Sequence, residues 1–227
     1  MKKIAITLAA LALAANARAA VTYTDSTGDN FDANAHMDIA SVAVDSTLTT
    51  ITFTINLVGD PVAVNWGKYL VGISTDSGTG DTGSPVGNPW GRNINMADGM
   101  DAFIGTWVDS GGGSQAWTWS AGAWGQTNQN TPTITTSSVS VTHALADLGL
   151  APGDTIGFDV YTSGGGSGDT ANDAAANPNQ TVGDWQVPYS TPASGAGGQL
   201  VYTIVPEPGA VALLGLLPAL ALLRRRR

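Results

Sequence analysis

Residues 50–57 read Thr-Ile-Thr-Phe-Thr-Ile-Asn-Leu, an unbroken alternation of polar and apolar side chains. Successive side chains of an extended chain point to opposite faces. Ile51, Phe53, Ile55 and Leu57 therefore share one face, and Thr50, Thr52, Thr54 and Asn56 share the other. A helix would scatter the same residues around its circumference. The segment has to be a strand with one face in a core and one face wet, which is the habit of antiparallel sheets. Residues 37–44 have the same β-branched character, and Asp45-Ser46-Thr47 reads as a turn between them and residues 48–57. The pair predicts an antiparallel hairpin.

Further strands are expected at residues 69–73, 101–108, 115–119, 133–141, 155–162 and 199–204. Only residues 143–150 suggest a helical turn, which Gly149 and Pro152-Gly153 end at once. Loops rich in Gly, Ser and Asp occupy residues 74–88, 110–114 and 163–194. Loops of this size inside a compact domain are usually functional or mobile. No internal repeat is visible, which argues against a solenoid or propeller. Short strands between such loops, with no long helix, predict an all-β fold: an antiparallel, jelly-roll-like β-sandwich spanning residues 20–204.

Charge narrows the partners. Of nine Lys and Arg, only Lys68 and Arg92 lie between Ala20 and Val205, against 17 aspartates and no glutamate. That stretch carries a formal charge of −15. Such a surface repels nucleic acid and anionic lipid and tolerates divalent cations. The chain has no cysteine, so neither a disulfide framework nor a thiol nucleophile is available.

The two ends are of another kind. Lys2 and Lys3 precede an apolar run, residues 4–15, and Ala17-Arg18-Ala19 follows. This is the order of a secretory signal peptide (residues 1–19), with small residues where signal peptidase reads, and it implies the Sec machinery as a partner. At the other end, Pro206-Glu207-Pro208 leads into an apolar run, residues 209–223, and then four arginines. The run is short against the ~20 residues of a bilayer span, which suits a transient transmembrane helix. Terminal arginines favour the cytoplasmic side, so the preceding body should face outward. The two prolines hold Glu207 in extended chain, a form that a membrane protease can bind.

Those three parts, in that order, resemble the PEP-CTERM sorting tail, here residues 205–227. The resemblance implies recognition at Pro206, Glu207 and Pro208 by an exosortase, transient residence in the inner membrane, then release to the cell surface or extracellular matrix of a Gram-negative, exopolysaccharide-making bacterium. A second resemblance covers most of the body. Residues 37–42 (MDIASV), 99–104 (GMDAFI), the stretch from Trp117 to Trp124, and Leu148-Gly149-Leu150 with Gly153-Asp154 look like exported sandwich modules of the family 9 carbohydrate-binding and DOMON-like group. It implies a sandwich more firmly than it implies a ligand.

Candidate chemistry is sparse. Trp117 and Trp119 share a strand face, and a turn at residues 120–123 brings Trp124 alongside. Flat indoles on a rigid sheet can stack on sugar rings at little entropic cost, and exopolysaccharide is the natural candidate. The same rings suit packing of the core or of the sandwich's open end equally well. Asp25, Asp29, Asp32 and Asn34 crowd one segment, and Asp169 and Asp173 fall in a late loop. Calcium takes six to eight hard oxygens, which such loops can supply, but no EF-hand spacing is present, and solvated loop aspartates are the plainer expectation. No metal set and no cofactor is singled out. Residues 78–83 match G-x-G-x-x-G, but Pro85 and Pro89 forbid the helix that a phosphate site needs, so a surface loop is expected. His36 and His143 lie in unrelated settings, and neither a nucleophile elbow nor a zinc motif exists. The expected protein is an exported, non-catalytic surface or matrix protein. A carbohydrate-binding module and a hydrolase with an unrecognised site are the alternatives.

Overall fold

The computed structural model describes residues 20–75, 80–82, 87–177, 182–193 and 198–205. The signal segment, the sorting tail from Pro206 onward and part of the Gly78–Gly83 motif lie outside the described residues. Among those described, no helix is long and apolar enough to cross a membrane. The expected signal helix and C-terminal transmembrane helix both fall outside them.

The chain is all-β. Its strands are β1 (Val21–Thr24), β2 (Ile39–Ser46), β3 (Thr50–Leu57), β4 (Lys68–Ser74), β5 (Ile94–Met96), β6 (Ala102–Trp107), β7 (Gly113–Ser120), β8 (Ala123–Asn130), β9 (Thr133–Ile134), β10 (Ser138–Ala144), β11 (Thr155–Ser163), β12 (Ala171–Ala174), β13 (Tyr189–Thr191) and β14 (Leu200–Thr203). Single 3-10 turns precede β2 (Ala35–Met37) and follow β10 (Leu145–Leu148).

Two antiparallel sheets face each other. The first runs β1-β2-β3-β10-β9 and the second β12-β11-β4-β6-β7-β8. β14 lies end to end with β12 along the same edge of β11, pairing with residues 155–158 while β12 pairs with 161–163. The alternating β3 does what its pattern requires. Ile51, Phe53, Ile55 and Leu57 enter the core between the sheets, with Val42 and Val44 from β2 and Val139 and Val141 from β10. From the second sheet, Val71, Ile73, Ile104, Phe158 and Val160 meet them. The wet face of the first sheet carries cross-strand hydroxyl pairs, Thr52–Thr142 and Thr54–Ser140, each at 2.8 Å.

Strands β11, β4 and β6 of the second sheet are buried on both faces. β4 reads Tyr-Leu-Val-Gly-Ile without alternation because Val71 and Ile73 face the first core while Leu70 faces a second. That second core holds Ile94, Met96, Met100, Phe103, Tyr161, Val182 and Tyr189. It is roofed by the parallel pair β5 and β13.

Several expectations need correction. The strand order is not the nested order of a jelly roll: β3 pairs with β10 and β4 with β11, so the two crossovers between sheets interlock. The first hairpin turn is Thr47-Leu48-Thr49, two residues later than expected, because the Thr47 hydroxyl caps it by accepting the N–H groups of Thr49 and Thr50. Residues 133–141 are not one strand but the hairpin of β9 and β10, closed by Thr135 and Ser138. The expected loop 110–114 is a tight turn with Gly112 N–H bonded to Asp109 C=O at 2.9 Å. The loop 163–194 contains β12 and β13. Val205, assigned by sequence to the tail, is packed in the body, its N–H donating to Ser46 Oγ at 3.0 Å.

Candidate functional site

Strands β6 to β8 carry the tryptophans that the sequence singled out. Ala121 and Gly122 turn between β7 and β8 with φ of 53° and 83°, the left-handed pair of a two-residue hairpin. The turn sets Trp124 directly opposite Trp119, with ring centroids 5.6 Å apart. Trp117 lies opposite Phe103, on the outer face of the second sheet. From Trp124 the aromatic row continues through Phe103 (6.4 Å) to Trp90 (5.9 Å) and Trp107 (6.1 Å).

This row has a built floor. A Cβ on Gly105 would sit 2.3 Å from the Trp90 ring, so that indole rests directly on the backbone of β6. Trp90 Nε1 donates to Gln115 Oε1 at 3.0 Å, and Trp124 Nε1 to Asp81 Oδ2 at 2.8 Å. All five indoles, Trp90, Trp107, Trp117, Trp119 and Trp124, are half-buried. Trp90, Trp117 and Trp124 pack against the second core, and all five still present ring surface outward.

A second aromatic group was not anticipated. Phe31 meets Trp185 edge-on at 4.7 Å, Trp185 meets Trp66 at 6.0 Å, and Trp66 meets His36 at 4.9 Å. These residues come from separate segments, and only the folded chain brings them together.

Beside that group lies a cluster of carboxyls. One oxygen each from Asp29, Asp38 and Asp173 lies within 4.8 Å of the others. Asp173 is not on a loop: it sits in β12, fully buried, and accepts the N–H groups of Ile39 (2.7 Å) and Ala174 (2.8 Å). Asp38 is 5% exposed and accepts Gly28 N–H at 2.8 Å. Burial pushes the Asp173 carboxyl up to about 8, with the charges of Asp25 and Asp29 adding to it. Burial and the neighbouring Asp29 raise Asp25 to about 7. Asp29 and Asp38 are raised in the same direction, mainly by burial.

Asp32 and Asn34 do something else. The Asp32 carboxylate accepts from the Asn34 main chain (3.0 Å) and side chain (2.5 Å) and from Asn30 Nδ2 (3.2 Å), shaping the loop. Asp169 is engaged by Arg92 at 3.7 Å and accepts Gly166 N–H. Of the aspartates the sequence grouped, Asp29 and Asp173 converge, with Asp25 in electrostatic reach. Asp38 was missed. Its position immediately before β2 was the available signal.

No family model matches the chain. No curated protein and no solved structure matches it either. Both family resemblances therefore rest on the residues alone.

The two histidines remain apart. His143 Nε2 lies 3.0 Å from Ser114 Oγ, and Nδ1 lies 3.2 Å from Asn130 Nδ2. Ser114 also bonds Thr106 Oγ1 at 3.0 Å. Ser114 and His143 are buried, so this Ser-His pair ties β7 of one sheet to β10 of the other. Both body cations are engaged: Lys68 with Asp109 at 3.2 Å, and Arg92 with Asp169 and the Gly166 carbonyl. The described part of residues 78–83 is extended, with Asp81 bridging to Met100.

Proposed function

We propose that the chain is an exported, non-catalytic cell-surface or extracellular-matrix protein, sorted through its PEP tail, whose β-sandwich body works within exopolysaccharide. The single observation that carries the reading is the tail: Pro206-Glu207-Pro208, a short apolar run and four arginines. The way the body ends supports it. β14 stops at Thr203, Ile204 N–H bonds Asp154 C=O at 2.9 Å, and Val205 is tied to Ser46. The folded body thus runs up to the motif almost without a linker, and a protease acting there would release an intact sandwich. Replacing Pro206, Glu207 and Pro208 by alanine in the native host is expected to leave the protein uncleaved in the inner membrane. Normal processing and release of that variant would refute the sorting reading.

A second reading, a carbohydrate-binding module, is favoured by the tryptophan row. Trp117, Trp119 and Trp124 lie on one face with Trp90 and Trp107, on a rigid sheet. Half-buried indoles on a sheet, two of them (Trp90 and Trp124) fixed by hydrogen bonds at Nε1, suit C–H stacking on sugar rings. Trp119 touches Trp124 in the row and is the ring to test. Trp119→Ala should abolish retention on host exopolysaccharide in a pull-down. Equal retention of wild type and variant, or none by either, excludes this reading without touching the first.

A further inference from the structure

We propose that Asp29, Asp38 and Asp173 bind a hard divalent cation of calcium's size. Their oxygens lie within 4.8 Å of one another, a separation that two calcium–oxygen bonds of about 2.4 Å can span. The donors are all carboxylates, in a chain with no cysteine. Oxygen-only donor sets select calcium, magnesium or manganese over softer metals. Magnesium is the poorer fit, because it sheds water reluctantly and seldom takes an all-protein site.

The unpaired atoms are the independent sign of a ligand. Asp38 is 5% exposed, and Oδ1 has no hydrogen-bond partner. Both Asp29 oxygens are out of solvent and without a partner, as is Asp25 Oδ2. Native proteins rarely leave buried carboxylate oxygens in this state. Among the described residues, the two cations are engaged elsewhere: Lys68 pairs with Asp109 and Arg92 with Asp169. An unpaired buried carboxylate is strongly unfavourable, whereas a bound cation gives these oxygens both a partner and a countercharge.

The placement gives such an ion a structural task. Asp29 lies between β1 and β2, Asp38 at the start of β2, and Asp173 in β12. The ion would clamp the leading segment of the first sheet to the edge of the second. Phe31 N–H already bonds Asn172 C=O at 3.3 Å, and its ring meets Trp185. The clamp would thereby hold the Phe31–Trp185–Trp66 group in place. This inference concerns the body alone and stands whether or not the tail is processed.

The test is calcium titration of the full chain, stripped with EDTA and held at moderate ionic strength. Isothermal calorimetry reads binding and tryptophan fluorescence reads the aromatic group. One saturable site per chain is expected, with a Kd at or below about 1 mM, the range of extracellular calcium modules. Asp29→Asn and Asp38→Asn should each weaken it about tenfold or more, because ligand charge sets affinity. Asp45→Asn, on an exposed residue of β2, should leave it unchanged. Asp29 holds no protein donor other than its own amide, so its variant should fold; circular dichroism checks this. Absence of saturable binding, or a folded Asp29→Asn that binds calcium like wild type, overturns the proposal. So does equal weakening by Asp45→Asn, which would mean diffuse attraction to the acidic surface.

Discussion

The main-chain N–H of Ile39 donates to Asp173 Oδ2 at 2.7 Å, across 134 residues of sequence. That bond joins the first residue of β2 to the edge strand of the opposite sheet. It fixes the leading segment, with Asp38 in it, against β12. The sandwich is thus closed on this side by polar contacts.

Asp159 is the most deeply buried charge in the body, and its removal should be felt throughout. It is 0% exposed and accepts Thr191 Oγ1 (2.6 Å), Val160 N–H (2.7 Å) and Ala176 N–H (2.9 Å). Asp159→Ala strands three donors and is expected to cost about 3 kcal/mol or more in urea unfolding. Asp159→Asn keeps an acceptor and should cost less.

The same residue shapes how stability changes as pH rises. Burial raises the Asp159 carboxyl to about 7, so the folded state holds its proton more tightly than the unfolded state does. Its contribution is full below the ordinary carboxylate range and is lost as pH rises through about 7. Wild type should therefore lose melting temperature relative to Asp159→Asn as pH rises from about 4 to about 7, and run parallel to it above that. Profiles parallel over the lower range as well would show that Asp159 does not titrate there.

His143 works on the acid side. Burial lowers its imidazole, against a smaller opposite pull from Asp147. The folded state keeps it neutral, so its contribution is present above the ordinary histidine value and is lost as pH falls below it. His143→Gln, which can still reach Ser114, should flatten the melting-temperature profile between pH 6.5 and 5. An unchanged slope would place that titration elsewhere.

Gly105→Ala tests the tryptophan floor. The new methyl would meet the Trp90 ring at 2.3 Å, and the ring is held by Gln115. Overpacking of this kind costs about 1–3 kcal/mol. Displacement of Trp90 should also shift tryptophan emission. Gly125→Ala, with nothing within 4 Å of its Cβ, is the control and should be silent in packing.

The sequence was legible where a strand has one wet face. β2, β3 and β11 were found because alternation or β-branched runs mark them, and the helical turn at Leu145–Leu148 was marked by its glycine stop. β12 and β13 were lost. β12 reads Ala-Asn-Asp-Ala, fully buried yet half polar: Ala171 and Ala174 enter the second core, while Asn172 and Asp173 accept main-chain N–H groups far along the chain. β8 was lost for the opposite reason: it reads Ala-Trp-Gly-Gln-Thr-Asn-Gln-Asn and is mostly exposed. For the candidate sites, the local geometry of Trp117, Trp119 and Trp124 follows from strand period and turn. The convergence of Asp29, Asp38 and Asp173 depends on which sheets face each other, and no local pattern encodes that.

The pairing of Lys68 and Arg92 has a consequence for how proteases meet the folded body. Between Ala20 and Val205 a trypsin-like protease can cut only after Lys68 and Arg92. Lys68 opens β4 with its side chain 13% exposed, and the Arg92 side chain is 6% exposed under its bonds to Asp169 and Gly166. The folded body offers such enzymes no ready cleavage point, so it should outlast a lysine-rich protein of similar stability under trypsin digestion.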